Sequence, residues 1–149
     1  GWLEEHRPAG NRHTVVHGDF RNGNLIIGPD GVLAVIDWEL AHTGDPMEDL
    51  AWMTLRMWRF GNDDREVGGF GDVPALAGAY SAGGGDWDEE RFGWWQVCGP
   101  LRWGIGLAHQ AMGHLDGSVP SIVMAASGRR VGEMEYDALV ELRRRGLRT

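Results

Sequence analysis

A short β-hairpin near the start of an otherwise helical pattern is the feature that most constrains how this 149-residue chain can fold. Two apolar runs, at 25–27 and 32–36, flank the turn sequence Gly-Pro-Asp-Gly at 28–31. Such runs around such a turn predict a hairpin. With this turn, Asn24 is expected to face Val35. The polar loop before the hairpin and the residues after it should then lie at the same open end.

Most of the remaining chain has apolar residues at helical spacing. Helices are predicted at 45–59, 73–82, 89–114, 120–127 and 131–145. Asp45 is expected to cap the first of them, with Pro46 at the first helical position and Glu48 in a capping box. Pro100 lacks a backbone N–H, so it is expected to kink or split the long helix. The sequence thus predicts one α+β domain over 1–149, mainly α with a small β-hairpin.

The charge and the single cysteine narrow the possible partners and location. The formal net charge is −8. A surface of this sign repels nucleic acid and anionic membranes, so neither is expected as a partner. Cys98 is the only cysteine, and a chain that forms no internal disulfide fits a reducing compartment. No apolar run approaches the roughly 18 residues that a membrane span needs. We therefore expect a cytoplasmic protein.

Several tryptophans allow two interpretations, a cage for a quaternary ammonium group or ordinary core packing. They are Trp52, Trp58, Trp94, Trp95 and Trp103. Most of them fall at helical spacing beside other apolar residues, and this pattern is more typical of a core. Core packing is therefore the preferred interpretation.

Residues with chemical potential are concentrated just before the hairpin and at Asp37, just after it. Asp37 lies two residues beyond the expected partner of Asn24, and diagonal neighbours about 7–8 Å apart can bind one ion together. An Asn oxygen and an Asp carboxylate are ligands that suit Mg²⁺. Asp19 could accept a hydroxyl proton, and Arg21 could steady phosphate charge. This is the division of labour found in phosphoryl transfer.

Three motifs in order resemble those of the aminoglycoside phosphotransferase and choline kinase-like family. His-Gly-Asp-x4-Asn at 17–24 is similar to its catalytic loop, Ile-Asp-Trp-Glu at 36–39 to its metal-binding segment, and Gly-Asp-Pro-x-x-Asp-Leu-Ala at 44–51 to the motif that follows. Protein kinases share the Asp-x4-Asn spacing. The resemblance continues more weakly through 101–104 into the last helices, so it covers nearly the whole chain.

The resemblance implies a role for each motif residue. Asp19 would be the catalytic base, and Asn24 and Asp37 would bind Mg²⁺ and ATP. Asp49 and His17 would be structural supports of the catalytic loop. The implied reaction is transfer of the ATP γ-phosphate to a hydroxyl of a small molecule, such as an aminoglycoside, a choline-like compound or another alcohol.

Two further residues of the second motif have open roles. Glu39 is a candidate ligand for a second metal or for a cationic substrate. Trp38 could line the substrate cleft or brace the metal-binding loop, and bracing is preferred. The fold implied by the resemblance is the C-terminal lobe of a protein-kinase-like architecture.

Complete members of this family have an N-terminal β-lobe with a lysine that pairs with a helical glutamate. Only sixteen residues precede His17, and all 14 basic residues of this chain are arginines. We therefore expect the nucleotide-binding lobe to be absent and the isolated lobe to be inactive. The face that would meet the missing lobe should be partly apolar, which predicts self-association.

Two other functions are compatible with the same motifs. The chain could be a non-catalytic ligand-binding module or pseudokinase that holds a ligand without transferring phosphate. It could also be a metal-dependent phosphohydrolase in which Asp19 activates water instead of an alcohol.

Overall fold

The computed structural model describes residues 1–10 and 13–146. The chain divides into two compact units, Gly1–Gln96 and Val97–Thr149. The first unit contains all three motifs found in the sequence. The prediction of one domain over the whole chain stays a prediction.

The described residues are mostly helical, with a small amount of antiparallel β-structure, as predicted. The helices are α1 (Trp2–Glu5), α2 (Met47–Trp52), α3 (Val73–Ala82), α4 (Glu89–Leu115), α5 (Ile122–Ser127) and α6 (Val131–Arg144). The strands are β1 (Thr14–Val16), β2 (Leu25–Gly28), β3 (Gly31–Val35) and β4 (His42–Gly44). Short 3₁₀ turns lie at 22–24, 38–40, 56–59 and 128–130.

Strands β2 and β3 form the predicted hairpin, but its register differs by one residue. The expectation that Asn24 faces Val35 was wrong, because Val35 pairs with Leu25. A β-bulge adds a residue to β3, and such an insertion shifts every later pair by one. The N–H of Ile36 instead donates to the carbonyl of Asn24 at 3.0 Å. Asp37 is therefore one residue nearer to Asn24 along the ladder than the sequence predicted.

A second two-stranded sheet pairs β1 with β4, and the sequence did not predict β4. Thr14 lies opposite Gly44, and Val16 lies opposite His42. Only one residue of the three in β4, Thr43, favours strands by composition. The pairing places the segment that enters the catalytic loop beside the segment that enters α2.

Helix α2 begins at Met47 with Pro46 at the N-cap, one residue later than predicted, and its capping box does not form. Asp45 therefore lies just before the N-cap, where its carboxylate accepts the N–H of Met47 at 3.0 Å. The side chain of Glu48 is buried and bonds His42 Nε2 at 3.1 Å instead of the helix end.

The prediction that this helix runs to Arg59 was wrong, because α2 ends at Trp52. Continuing it would require the carbonyls of Met53 and Thr54 to accept helical bonds. The Met53 carbonyl instead accepts the N–H of Gly68 at 3.0 Å, and the Thr54 carbonyl accepts the guanidinium of Arg59 at 2.8 Å. Hydrogen bonds to residues distant along the chain or to a side chain therefore replace the helical hydrogen bonds, and the local sequence pattern does not predict them.

Helices α3 and α4 lie close to their predicted bounds. Asp72 caps α3 by accepting the N–H of Ala75 at 2.9 Å. Of the two predicted effects of Pro100, a kink or a split, the split does not occur, because helix α4 continues through Pro100. Proline costs the helix one hydrogen bond, and buried neighbours such as Val97 and Leu107 hold the turns on either side. No helix among the residues described has the length and apolarity to cross a membrane.

Each unit has its own buried apolar residues. In the first unit Met47, Leu50, Ala51 and Phe92 form the core, and Val73, Leu76, Tyr80, Trp87 and Trp95 pack around them. In the second unit the buried residues include Val97, Leu107, Met134 and Ala138. Gly104 of α4 allows close approach of α6, because an added Cβ would lie 3.3 Å from Cβ of Met134.

Candidate active site

Three side chains hold the carboxylate of Asp19, the residue predicted to be the base. The indole N–H of Trp52 donates to Oδ1 at 2.8 Å, and Nδ2 of Asn24 donates to Oδ2 at 2.8 Å. Nε of Arg21 bridges both oxygens at 3.1 and 3.3 Å. The Asp19 side chain is 15% exposed, so the carboxylate is accessible from a narrow direction only.

Arg21 lies against an aromatic face as well as against the carboxylate. Its guanidinium carbon is 4.8 Å from the centre of the Trp58 ring, a cation–π contact. The guanidinium also crosses Gly23, where an added Cβ would lie 2.0 Å from Nη1. The two terminal nitrogens make no hydrogen bond to any residue that the structure describes. They are therefore available to an anion from outside.

His17 connects the backbone of the catalytic loop to the end of the hairpin. The N–H of Asp19 donates to its Nδ1 at 3.2 Å, so the ring proton is assigned to Nε2. Nε2 then donates to the carbonyl of Ile36 at 2.8 Å. The imidazole is 2% exposed. One buried ring thus joins the loop that carries Asp19 to the residue before Asp37.

Asp49, in the first turn of α2, binds the same loop from the other side. Its carboxylate accepts the N–H of His17 at 2.7 Å and the N–H of Gly18 at 2.9 Å. Gly18 has φ of +84°, and an added Cβ would lie 2.6 Å from the carbonyl oxygen of Leu40. Glycine is therefore required where the loop turns under the 38–40 segment.

Asn24 and Asp37 present the oxygens predicted to bind Mg²⁺. Nδ2 of Asn24 donates to the carbonyl and the carboxylate of Asp19, at 2.9 and 2.8 Å, and Oδ1 makes no hydrogen bond to a described residue. Asp37 has a left-handed backbone, φ 69° and ψ 53°, and makes no hydrogen bond or ion pair to a described residue. An amide oxygen and a carboxylate, both without a hydrogen bond to a described residue, are ligand types that suit Mg²⁺, which takes one or two protein ligands and keeps substrate phosphates.

The described residues contain no cluster of three His, Cys, Asp or Glu side chains suited to a metal. A closed protein cage is therefore not formed by these parts of the chain. The Asn24 and Asp37 pair is instead the kind of open site that a substrate's phosphates complete.

Trp38 and Glu39 lie in the turn that follows Asp37. The indole N–H of Trp38 donates to the carbonyl of Val35 at 2.8 Å, and its ring lies 4.5 Å from the ring of His17. These contacts favour the bracing role over the cleft-lining role. Glu39 is exposed and makes no hydrogen bond or ion pair with described residues, so its role stays a prediction.

The sequence reasoning missed two residues that contact the site. It interpreted Trp52 as core packing, and Trp52 is indeed buried, but its N–H binds Asp19. The available signal was its position three residues after Asp49, on the same face of α2. Asn22 was not singled out. Its Nδ2 donates to the carbonyls of Trp58 and Gly68, at 3.0 and 2.8 Å, and ties the catalytic loop to the 56–72 loop.

Comparison with solved structures gives the same architecture. A crystal structure from Ralstonia eutropha JMP134, provisionally described as an aminoglycoside phosphotransferase, matches with a TM-score of 0.74 and 25% sequence identity. The match covers 96% of this chain and 47% of that chain. The mainly helical fold with small antiparallel sheets is therefore a kinase-like fold of this type.

Curated relatives match a shorter segment. Acyl-CoA dehydrogenase family member 10 of Mus musculus is 54% identical over 56 residues, and family member 11 of Gallus gallus is 46% identical over 56 residues. The probable acyl-CoA dehydrogenase IBR3 of Arabidopsis thaliana is 44% identical over 60 residues. Each match covers 36% of this chain but only 5 to 7% of the relative.

The strongest assignment comes from the family model of the phosphotransferase enzyme family, APH, which matches residues 1–95. That range is more than half of the chain, and it includes the catalytic loop, the hairpin, Asp37 and Asp49. The chain belongs to the APH phosphotransferase family.

Proposed function

We propose that this chain carries the catalytic site of an ATP-dependent kinase that transfers the γ-phosphate to a hydroxyl of a small molecule. The environment of Asp19 is the observation that carries the proposal. Its carboxylate is oriented by buried donors, and the unused oxygens of Asn24 and Asp37 belong to the same loop and hairpin. A base beside a metal-binding pair is what phosphoryl transfer requires of a protein.

In the proposed reaction Asp19 orients the acceptor hydroxyl and takes its proton. The acceptor oxygen bonds to the γ-phosphorus, and the bond from that phosphorus to the bridging oxygen of ADP breaks. Mg²⁺, held by Asn24 and Asp37, supplies charge neutralisation at the phosphates when bound. His17 and Asp49 keep the loop backbone in place and do not touch the reactants.

Arg21 would have to move for this reaction to proceed. Its Nε bonds both oxygens of the Asp19 carboxylate, to which the acceptor hydroxyl would bind, and its side chain is 26% exposed. Its terminal N–H groups suit phosphate, which guanidinium binds through two parallel hydrogen bonds. We propose that the arriving γ-phosphate draws Arg21 away from Asp19. One ion pair would then replace another, and the base would be freed when the phosphate donor is present.

The partners proposed for this chain follow from the proposed reaction. The chain spans 47% of its structural neighbour, and we propose that it forms the C-terminal, catalytic lobe of a kinase-like fold because the catalytic motifs lie in it. The proposed partners are a hydroxyl acceptor and an N-terminal nucleotide-binding lobe. On the hairpin Ile27 is 63% exposed, Val32 58% and Leu33 69%. We propose that this apolar surface supports self-association when no lobe covers it.

The test is formation of ADP from Mg²⁺-ATP with a panel of hydroxyl acceptors. The panel contains aminoglycosides, choline-like amino alcohols and hydroxylated acyl-CoA thioesters, the last because of the relatives' names. Phosphorus NMR identifies the product, and Asp19→Asn is the control. The chain is assayed at high concentration, so that slow turnover is also detected.

Acceptor-dependent ADP formation that disappears in Asp19→Asn would support the proposal. Phosphate release that no acceptor increases would favour the phosphohydrolase alternative. Nucleotide or acceptor binding without any transfer would favour the non-catalytic module.

A further inference from the structure

We infer that Trp52 is a positioning residue for the catalytic carboxylate. Its indole N–H fixes Oδ1 of Asp19, so that only the side now occupied by Arg21 can receive the acceptor hydroxyl. The inference rests on the proposed function, in which Asp19 is the base.

The hydrogen bond between Trp52 and Asp19 is short and lies in a protected place. The indole nitrogen is 2.8 Å from Oδ1, and Trp52 is 3% exposed. A bond from a neutral donor to a carboxylate is stronger than a neutral pair, and burial removes competition from water. Asp49 lies three residues earlier on α2 and holds two N–H groups of the catalytic loop. One helix therefore fixes the loop backbone and the side chain of the base together.

The second carboxylate oxygen is also fixed by a buried donor. Nδ2 of Asn24 is 2.8 Å from Oδ2 of Asp19, and Asn24 is 3% exposed. Two donors on opposite oxygens define the plane of the carboxylate. The third donor, Nε of Arg21, belongs to a side chain that is 26% exposed and makes the longest bonds, 3.1 and 3.3 Å. Arg21 is thus the donor whose departure would open the carboxylate to the acceptor hydroxyl.

A packing role for Trp52 is the competing explanation. A buried indole needs an acceptor for its N–H, and its ring lies 6.3 Å from the ring of Trp58. If packing were its whole role, Trp52→Phe would lower stability without a particular effect on the chemical step. A positioning role predicts instead a lower kcat with an unchanged KM for ATP, because ground-state binding does not involve this bond.

The first experiment reads the hydrogen bond without any need for turnover. In the ¹H–¹⁵N spectrum of the chain, Trp52→Phe identifies the Trp52 indole signal by its disappearance. Asp19→Asn should then move the Trp52 indole proton upfield, because a neutral amide is a weaker acceptor than a carboxylate. The Trp94 indole, which donates to the Leu3 carbonyl at 2.9 Å, should not move. Asp19→Ala repeats the measurement in case the Asn variant folds poorly.

The second experiment measures rates with the acceptor that the panel provides. Trp52→Phe should lower kcat about tenfold, which equals about 1.4 kcal/mol in the barrier, and should leave KM for ATP within about twofold. Trp94→Phe is the matched control, because it also removes one indole hydrogen bond, but that bond does not involve Asp19. Its kcat should equal that of the parent.

The outcomes separate this inference from the proposed function. The inference would be overturned if the chemical shift of the Trp52 indole proton were unchanged in both Asp19 variants. It would also be overturned if Trp52→Phe had the same kcat as the parent. Equal losses of kcat and melting temperature in Trp52→Phe and Trp94→Phe would also overturn it, since general destabilisation would explain both. If the parent transfers phosphate to no acceptor, the proposed function fails, while the indole spectrum still tests the bond.

Discussion

At the scale of single residues, the catalytic loop depends on groups that each satisfy two partners. Asp49 accepts two successive backbone N–H groups, and His17 bonds the loop on one side and the Ile36 carbonyl on the other. Backbone groups in a partly buried loop need such partners, because unpaired ones cost free energy. These bonds hold the loop backbone in one conformation, and single substitutions can test that geometry.

Replacing Asp49 with Asn should destabilise the fold. The amide oxygen of the new side chain can accept one of the two backbone N–H groups, but its NH₂ group would face the other N–H group. Hydrogen bonds to charged groups are worth about 1.5 to 3 kcal/mol. We expect Asp49→Asn to lower the free energy of unfolding by about 2 to 3 kcal/mol in urea titrations. Asp30→Asn, in the exposed hairpin turn, is the control and should change it by less than about 0.5 kcal/mol. Similar values for the two variants would contradict the anchoring role of Asp49.

Gly18 provides a second test at this scale. Gly18→Ala adds a Cβ that would lie 2.6 Å from the Leu40 carbonyl oxygen, in a backbone with φ of +84°. Gly84→Ala is the matched control, because φ there is +88° but no atom lies within 4 Å of the added Cβ. The control should cost about 1 to 2 kcal/mol for the left-handed backbone alone. Gly18→Ala should cost about 1 to 3 kcal/mol more, from the collision. Equal losses of unfolding free energy would mean that the loop can move away from Leu40.

At the scale of elements, the buried ion pair at the start of α4 joins three parts of the first unit. Arg91 bonds Asp45 at 2.7 Å and Asp88 at 3.1 Å, and also bonds the carbonyls of Ala9 and Gly10. The hydrogen bond to Asp45 raises the pKa of Arg91 above its ordinary value. Because the pKa of Arg91 is higher in the folded state, the pair stabilises the fold fully at any pH below the pKa of Arg91 in the unfolded chain. This stabilisation is lost only as the pH rises through the pKa of Arg91 in the folded protein. Loss of the Arg91 proton therefore does not break the pair at neutral or moderately alkaline pH.

Removing this arginine should be far more damaging than removing an exposed one. Arg91→Met leaves the carboxylate of Asp45, 13% exposed, without its partner. Breaking a buried pair from one side costs about 3 to 5 kcal/mol. Arg56→Met breaks the exposed pair with Asp63, where both side chains are about half exposed, and should cost about 0 to 1 kcal/mol. Chemical denaturation of both variants tests this, and a loss below about 1 kcal/mol in Arg91→Met would contradict it.

Elements whose signals are local could be predicted from the sequence, and elements set by distant contacts could not. Helix α3 follows from local apolar spacing, and it has the bounds that the pattern predicts. The end of α2 depends on Gly68 and Arg59 taking the carbonyls that a helix would use. The one-residue register shift of the hairpin likewise depends on a bulge without a clear sequence mark. The motif residues of the site were identifiable, because their spacing is local, whereas the contact of Trp52 with Asp19 requires the fold.

At the scale of the whole molecule, the exposed hairpin predicts association between copies of the chain. Ile27 and Leu33 are 63% and 69% exposed. The double variant Ile27→Thr/Leu33→Thr places β-branched threonines, which suit strands, at both positions while removing apolar surface. Sedimentation velocity should show concentration-dependent association of the parent and a larger monomer fraction in the variant. If the parent and the variant gave the same distribution of sedimenting species, any association would involve a surface other than the hairpin.

The most direct test of the site as a unit is magnesium-dependent binding of ADP. Asn24 and Asp37 offer two oxygens that the described residues do not use, and Mg²⁺ binds through one or two such ligands together with nucleotide phosphates. Calorimetric titration of ADP into the chain should therefore release heat only when Mg²⁺ is present. Asp37→Ala should remove this heat, because it deletes the only carboxylate of the proposed pair.

Asp30→Ala is the matched control for that titration, because it removes an aspartate from the turn of the same hairpin, away from Asn24. It should bind Mg²⁺-ADP as the parent does. If both variants lost binding equally, the effect would come from net charge or from the hairpin fold, and Asp37 would lose its proposed role as a ligand. If a folded parent bound no nucleotide at any Mg²⁺ concentration, the affinity would have to come from a nucleotide-binding lobe, because two ligands alone would then be too few to hold the metal and the phosphates.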